Sequence, residues 1–169
     1  HALPLRRVAA QAVLRWQPRT PGPVTMTADF LAEQILWAYR GPAWHGAALA
    51  ENLAGLTAAE AAAHPVAGAH SVWETVLHLS GWTSEVQRRL EGAAPGLPEE
   101  GDWPEVTDPS AGAWTLAIDR LGAAHEGLAA AVRRFPDARW SEPVGQVPDA
   151  PLGTGVTYAA VISGLLQHD

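Results

Sequence analysis

Between Trp114 and Phe135 the chain places Trp114, Ile118, Leu121, His125, Leu128, Val132 and Phe135 at alternating steps of four and three. A stripe with this rhythm returns to one face of an α-helix, whereas a strand would scatter it over both faces, because strand side chains alternate at every residue. A seam of that length has to be buried against other helices. Asp108 and Pro109 read as its N-cap and first turn, so a helix is expected from about 109 to 135.

Three further segments carry the same signature. "TADFLAEQILWAYR" repeats Phe30, Leu31, Ile35, Leu36 and Tyr39 and stops at "GPAWHG". "HSVWETVLHLSGWTSEVQRRLEG" pairs Ser71 with Glu74 as a capping box, carries Val72, Val76, Leu79, Val86 and Leu90 as its stripe, and exits at Gly92. "VTYAAVISGLLQHD" puts Tyr158, Val161, Ile162, Leu165 and His168 on one face. Thr57 and Glu60 mark a short connector helix that Pro65 ends. Apart from a short ribbon that the loop before the last helix could form, no stretch alternates as a strand. The expected fold is therefore all-α: a four-helix bundle with a short connector helix between the first two long helices.

Residues 1–25 hold four arginines and no acid, while the rest holds seven arginines against all eighteen acids. Two readings of this basic extension are open: an arginine-rich transit-like peptide, or residues upstream of a start at Met26, the single methionine. The bundle is then 26–169. A net charge of -7 with no lysine argues against nucleic acid as partner, because that affinity rests on neutralising phosphates. No apolar run approaches the roughly 20 residues of a membrane span, so the expectation is a cytoplasmic protein without membrane contact. With no cysteine, any metal must be held by His, Asp or Glu.

Seven histidines make that hypothesis worth weighing. His64 and His70 flank the entry to the second long helix and read as solvated loop residues. His78 sits mid-helix on the flank of the stripe, as a hydrogen-bonded core residue or as a ligand. Glu74 has a complete role as the capping partner of Ser71. His125, inside the seam, needs a buried hydrogen-bond partner or a metal. His45, beside Trp44 on a glycine-flanked turn, is a candidate for a pocket mouth, and Trp37, Trp44, Trp73 and Trp82 could wall an apolar pocket. His168 lies on the apolar face of the last helix, where a second histidine four residues on would complete a two-imidazole metal face. That position falls past Asp169, and the helix lacks a stop signal, so it is expected to be cut short. The carboxylates of "PEEGDWPE" read as solvated surface.

The succession "GPAWHGAALAENLAGLTAAEAAAHPVAGAHSVWETVLHLSGW", "DPSAGAWTLAIDRLGAAHEGLAAAV" and "VTYAAVISGLLQHD" resembles the DinB-like superfamily of bacterial four-helix bundles, in the branch with a "GPAWHG" turn. "VLHLSGW" and "GLLQHD" are its specific parts. The resemblance implies a divalent metal, zinc or nickel, held by one histidine of helix two and an H-x-x-x-H pair of helix four. His78 and His168 match the first two ligands; the third is expected beyond Asp169. His45, His125, Trp44 and Trp82 are the pocket candidates. Some relatives are S-transferases using a low-molecular-weight thiol, which implies a metal-dependent thiol transferase or hydrolase-like enzyme acting on a small molecule. The alternative is a non-catalytic stress-response bundle that binds metal or a small ligand. A homodimer is compatible with either.

Overall fold

The computed structural model describes residues 27–43, 46–145 and 155–168. They form six helices: α1 (Ala28–Arg40), α2 (Leu49–Leu53), α3 (Ala58–Ala62), α4 (Val72–Leu90), α5 (Ala111–Arg134) and α6 (Tyr158–His168). A single 3₁₀ turn, Asp137–Arg139, follows α5. No strand occurs among the described residues; at the loop where a short ribbon could form there is an isolated antiparallel bridge, Pro143 with Thr157.

The long helices α1, α4, α5 and α6 make the bundle. α5 packs against both α1 and α4, and α6 closes the ring by touching both α4 and α1. The seam of α5 is the reason: Trp114, Leu121, His125, Leu128, Val132 and Phe135 are all buried. Ile118 lies at its margin and Ala117 takes the buried place. Two apolar clusters divide the length of the bundle. Leu128 and Val132 meet Ile35 of α1, Val86 and Leu90 of α4 and Ile162 of α6, while Trp114 and Leu121 meet Trp73, Val76 and Leu79 of α4 and Leu53 and Ala61 of the connector helices. The Trp114 indole N–H also donates to the Leu56 carbonyl at 2.9 Å, tying α5 to the connector.

Caps set most boundaries. Thr27 caps α1 through the Phe30 N–H, and the Ser71–Glu74 box opens α4 as expected, with the Glu74 N–H on Ser71 Oγ at 3.1 Å and the Ser71 N–H on Glu74 at 2.7 Å. Gly92, at φ 99°, follows α4 in the left-handed conformation that a helix exit favours.

Three expectations need correction. α5 begins at Ala111, because the Ser110 hydroxyl accepts from the Ala113 N–H at 3.2 Å and is the N-cap; Asp108 instead accepts from the Ser110 N–H at 3.0 Å. The connector holds two short helices: besides the Thr57–Glu60 box on α3, Glu51 accepts the Ala48 N–H at 3.3 Å and starts α2. Val72 is exposed and Trp73 is buried, so the inner face of α4 enters through the tryptophan.

Leu128 is fully buried where three helices meet its own. Leu128→Ala should cost about 2–5 kcal/mol in urea unfolding, whereas Leu116→Ala, at an exposed position of the same helix, should change stability by no more than about 0.5 kcal/mol.

Candidate metal centre

α4 and α6 each contribute one imidazole to a shared point. His78 is buried on α4; His168 is exposed at the end of α6, three residues beyond the buried Leu165 that anchors the helix. Their Nε2 atoms stand 3.1 Å apart, with ring planes inclined by 44°. On its other edge, His78 Nδ1 lies 2.6 Å from the Asp102 carbonyl oxygen. A carbonyl only accepts, so Nδ1 carries the proton and a neutral His78 presents the Nε2 lone pair towards His168.

Beside the pair opens a cleft of about 430 Å³, lined on its apolar side by Trp82, Val86, Val161 and Leu165. Arg89 also lines it. Its charge is compensated, since Glu85, itself fully buried, accepts from Arg89 Nε at 3.2 Å, from Arg88 at 2.8 Å and from the Gly96 N–H at 2.8 Å. Arg89 in turn donates to the Gly96 carbonyl at 3.1 Å, so this cluster pins the α4–α5 loop to α4.

The carboxylates of that loop are exposed, as expected, yet the loop also reaches the site. The Trp82 indole N–H donates to Asp102 Oδ1 at 2.7 Å, and Trp103 stacks on His78 with centroids 3.7 Å apart. Neither Asp102 nor Trp103 was expected here, because a loop carries no periodicity to say which face it covers. The Glu85–Arg89 pair did have a signal: opposite charges at i and i+4 on the inner face of an amphipathic helix.

His125, expected in the seam with a buried partner, is fully buried; its Nδ1 lies 2.8 Å from the Leu121 carbonyl and its ring stacks on Tyr39 at 4.8 Å. It belongs to the α1–α5 interface and is not among the residues lining the cleft. Gly122 makes room there, since a Cβ would stand 2.8 Å from the Tyr39 hydroxyl. Burial pushes the Tyr39 phenol above its ordinary pKa. Trp73 packs against Trp114 in the core and Trp37 is on the surface, so of the tryptophans proposed as pocket walls Trp82 takes that place. His45 and Trp44 lie outside the described residues, as does the expected third ligand. His64 and His70 are half-exposed but partnered: both approach Glu74, at 2.9 and 3.7 Å. Among the described residues no group of three or more His, Asp or Glu side chains converges as a metal cage.

The profile of the DinB superfamily matches residues 43–169, three quarters of the chain. No curated protein and no solved structure matches significantly. Among the described residues, no helix is long and apolar enough to cross a membrane.

The entry to α4 has a pH signature. The Ser71 backbone N–H, aided by the Ser71 hydroxyl and His64, holds the Glu74 carboxyl below its ordinary pKa against a smaller opposing effect of burial. A depressed carboxyl contributes stability above its unfolded-state pKa and loses it as pH falls through the folded-state value. Glu74→Gln should therefore be less stable than the parent at neutral pH, and the difference, followed by urea unfolding across an acid series, should shrink towards zero on acidification.

Proposed function

The chain belongs to the DinB superfamily, and on that footing we propose that it binds a divalent metal ion, zinc or nickel, through His78 and His168 and uses the adjoining cleft for transfer of a low-molecular-weight thiol. The observation that carries the reading is the 3.1 Å between the two Nε2 atoms. Two imidazole nitrogens on one tetrahedral zinc, each at roughly 2.0–2.1 Å, stand roughly 3.3 Å apart. The pair is thus already at ligand spacing. The donor set fits as well: neutral nitrogen donors suit zinc and nickel, and the Asp102 carbonyl on His78 Nδ1 is the kind of outer partner that fixes the tautomer of a ligating histidine.

Held by His78 and His168, a divalent ion would supply Lewis acidity, which favours the thiolate form of a small-molecule thiol. The chain has no cysteine, so the sulfur nucleophile comes from a small molecule. His78 offers a fixed nitrogen, His168 offers its partner at the cleft mouth, and Trp82, Val86, Val161 and Leu165 give an apolar seat that keeps water from one side of the reacting group. Non-catalytic binding of a metal or small ligand is the second reading, favoured by the lack of a three-membered His, Asp or Glu cluster among the described residues.

Zinc and nickel affinity, measured by competition with a chromophoric chelator, tests the proposal. His78→Ala and His168→Ala should each weaken binding by more than the roughly 10–100-fold that loss of an outer partner costs; unchanged affinity in both would remove the metal reading. Metal-dependent conjugation of a small thiol to an electrophile, lost in His78→Ala, would support the transferase. Metal binding without conjugation across a panel of thiols would assign the second reading.

A further inference from the structure

Trp103 is sandwiched between two histidines. His70 stacks on it with centroids 3.7 Å apart and planes at 2°, and His78 does so at 3.7 Å and 8°. Two imidazoles that close and that parallel cannot share one face of an indole, so they occupy opposite faces. Trp103 belongs to neither apolar cluster and remains 39% exposed, so its burial contributes little to the core. Both of its ring stacks are with imidazoles.

The residue before it completes the grip. A turn closed by the Gly101 N–H on the Pro98 carbonyl at 2.9 Å, with Gly101 at φ 89°, delivers Asp102 to α4. There the Asp102 carbonyl accepts a hydrogen bond from His78 Nδ1–H at 2.6 Å, while its Oδ1 accepts one from the Trp82 indole N–H at 2.7 Å and lies 3.3 Å from the same His78 Nδ1. A histidine side chain leaves two things open that decide what its Nε2 can do: the orientation of the ring plane and which nitrogen carries the proton. The stack fixes the first and the carbonyl fixes the second.

We infer that Asp102 and Trp103 are the positioning element of the His78 site, with His70 as the outer support of the stack. Their role is to hold His78 as the Nδ1-protonated tautomer with its Nε2 lone pair aimed at His168. The inference rests on the reading of His78 as a ligand for its use, but its physical content is measurable without any metal.

The test is ¹⁵N-edited imidazole spectroscopy of the metal-free full chain at a pH where His78 is neutral, with zinc affinity as the second readout. The parent should show His78 protonated on Nδ1. Trp103→Ala frees the His78 ring plane and with it the alignment of Nδ1 on the Asp102 carbonyl, so it should give a mixture of tautomers and weaken zinc binding about 10–100-fold; Trp103→Phe, which keeps a flat ring, should restore most of both. Trp82→Phe keeps the ring but deletes the N–H that holds Asp102, and should shift the tautomer in the same direction. If Trp103→Ala and Trp82→Phe both retain the parent tautomer, the inference is overturned. A tautomer shift in variants of a chain that binds no zinc would uphold the positioning role and remove the ligand reading instead.

Discussion

Burial of the α5 seam is the constraint on which the rest depends. A 24-residue helix with an apolar face along its whole length needs cover at both ends. α1 and α4 supply it along the sides, α6 covers the half around Leu128 and Val132, and the two connector helices cover the half around Trp114 and Leu121. The division of the core into two clusters follows from this arrangement. Where the cover of α6 ends, α4 turns from apolar contacts with its neighbour to a polar one, and the histidine pair stands at that boundary.

Such a boundary suits a chemical site. His78 is held in the body of a 19-residue helix that the Ser71–Glu74 box caps. His168 stands on the solvent side of the cleft, exposed. The charged groups near the boundary are partnered, Glu85 by two arginines and a backbone N–H and Asp102 by Trp82 and His78, whereas the buried Ser80 and Thr83 hydroxyls of α4 find no hydrogen-bond partner among the described residues. The compensated Glu85–Arg89 cluster beside the two imidazoles leaves their facing Nε2 atoms as the chemically distinctive feature of the cleft.

Helical periodicity made the bundle legible, because an apolar stripe commits a residue to a face before its partner is known. The same logic put His78 on the flank of its stripe and His168 on the apolar face of its helix, and the superfamily resemblance paired them; His78 is buried, whereas His168 is exposed at the helix end. That logic failed where the partner decides. Val72 and Trp73 are adjacent, and only the packing of Trp73 on Trp114 selects between them. Asp102 and Trp103 sit in a loop whose course is set by the Glu85–Gly96 contact and by the turn at Gly101, neither of which leaves a periodic trace. His125 has the buried hydrogen-bond partner its place in the seam called for, a carbonyl one turn back, but it does not line the cleft for which it was a candidate.

The account rests on His78 and His168 acting together on one ion. Anomalous diffraction at the zinc edge from crystals of the chain grown with zinc tests this directly. A single strong peak within bonding range of both Nε2 atoms is the predicted result. Zinc bound elsewhere, or on one of the two histidines with the other turned away, would contradict it.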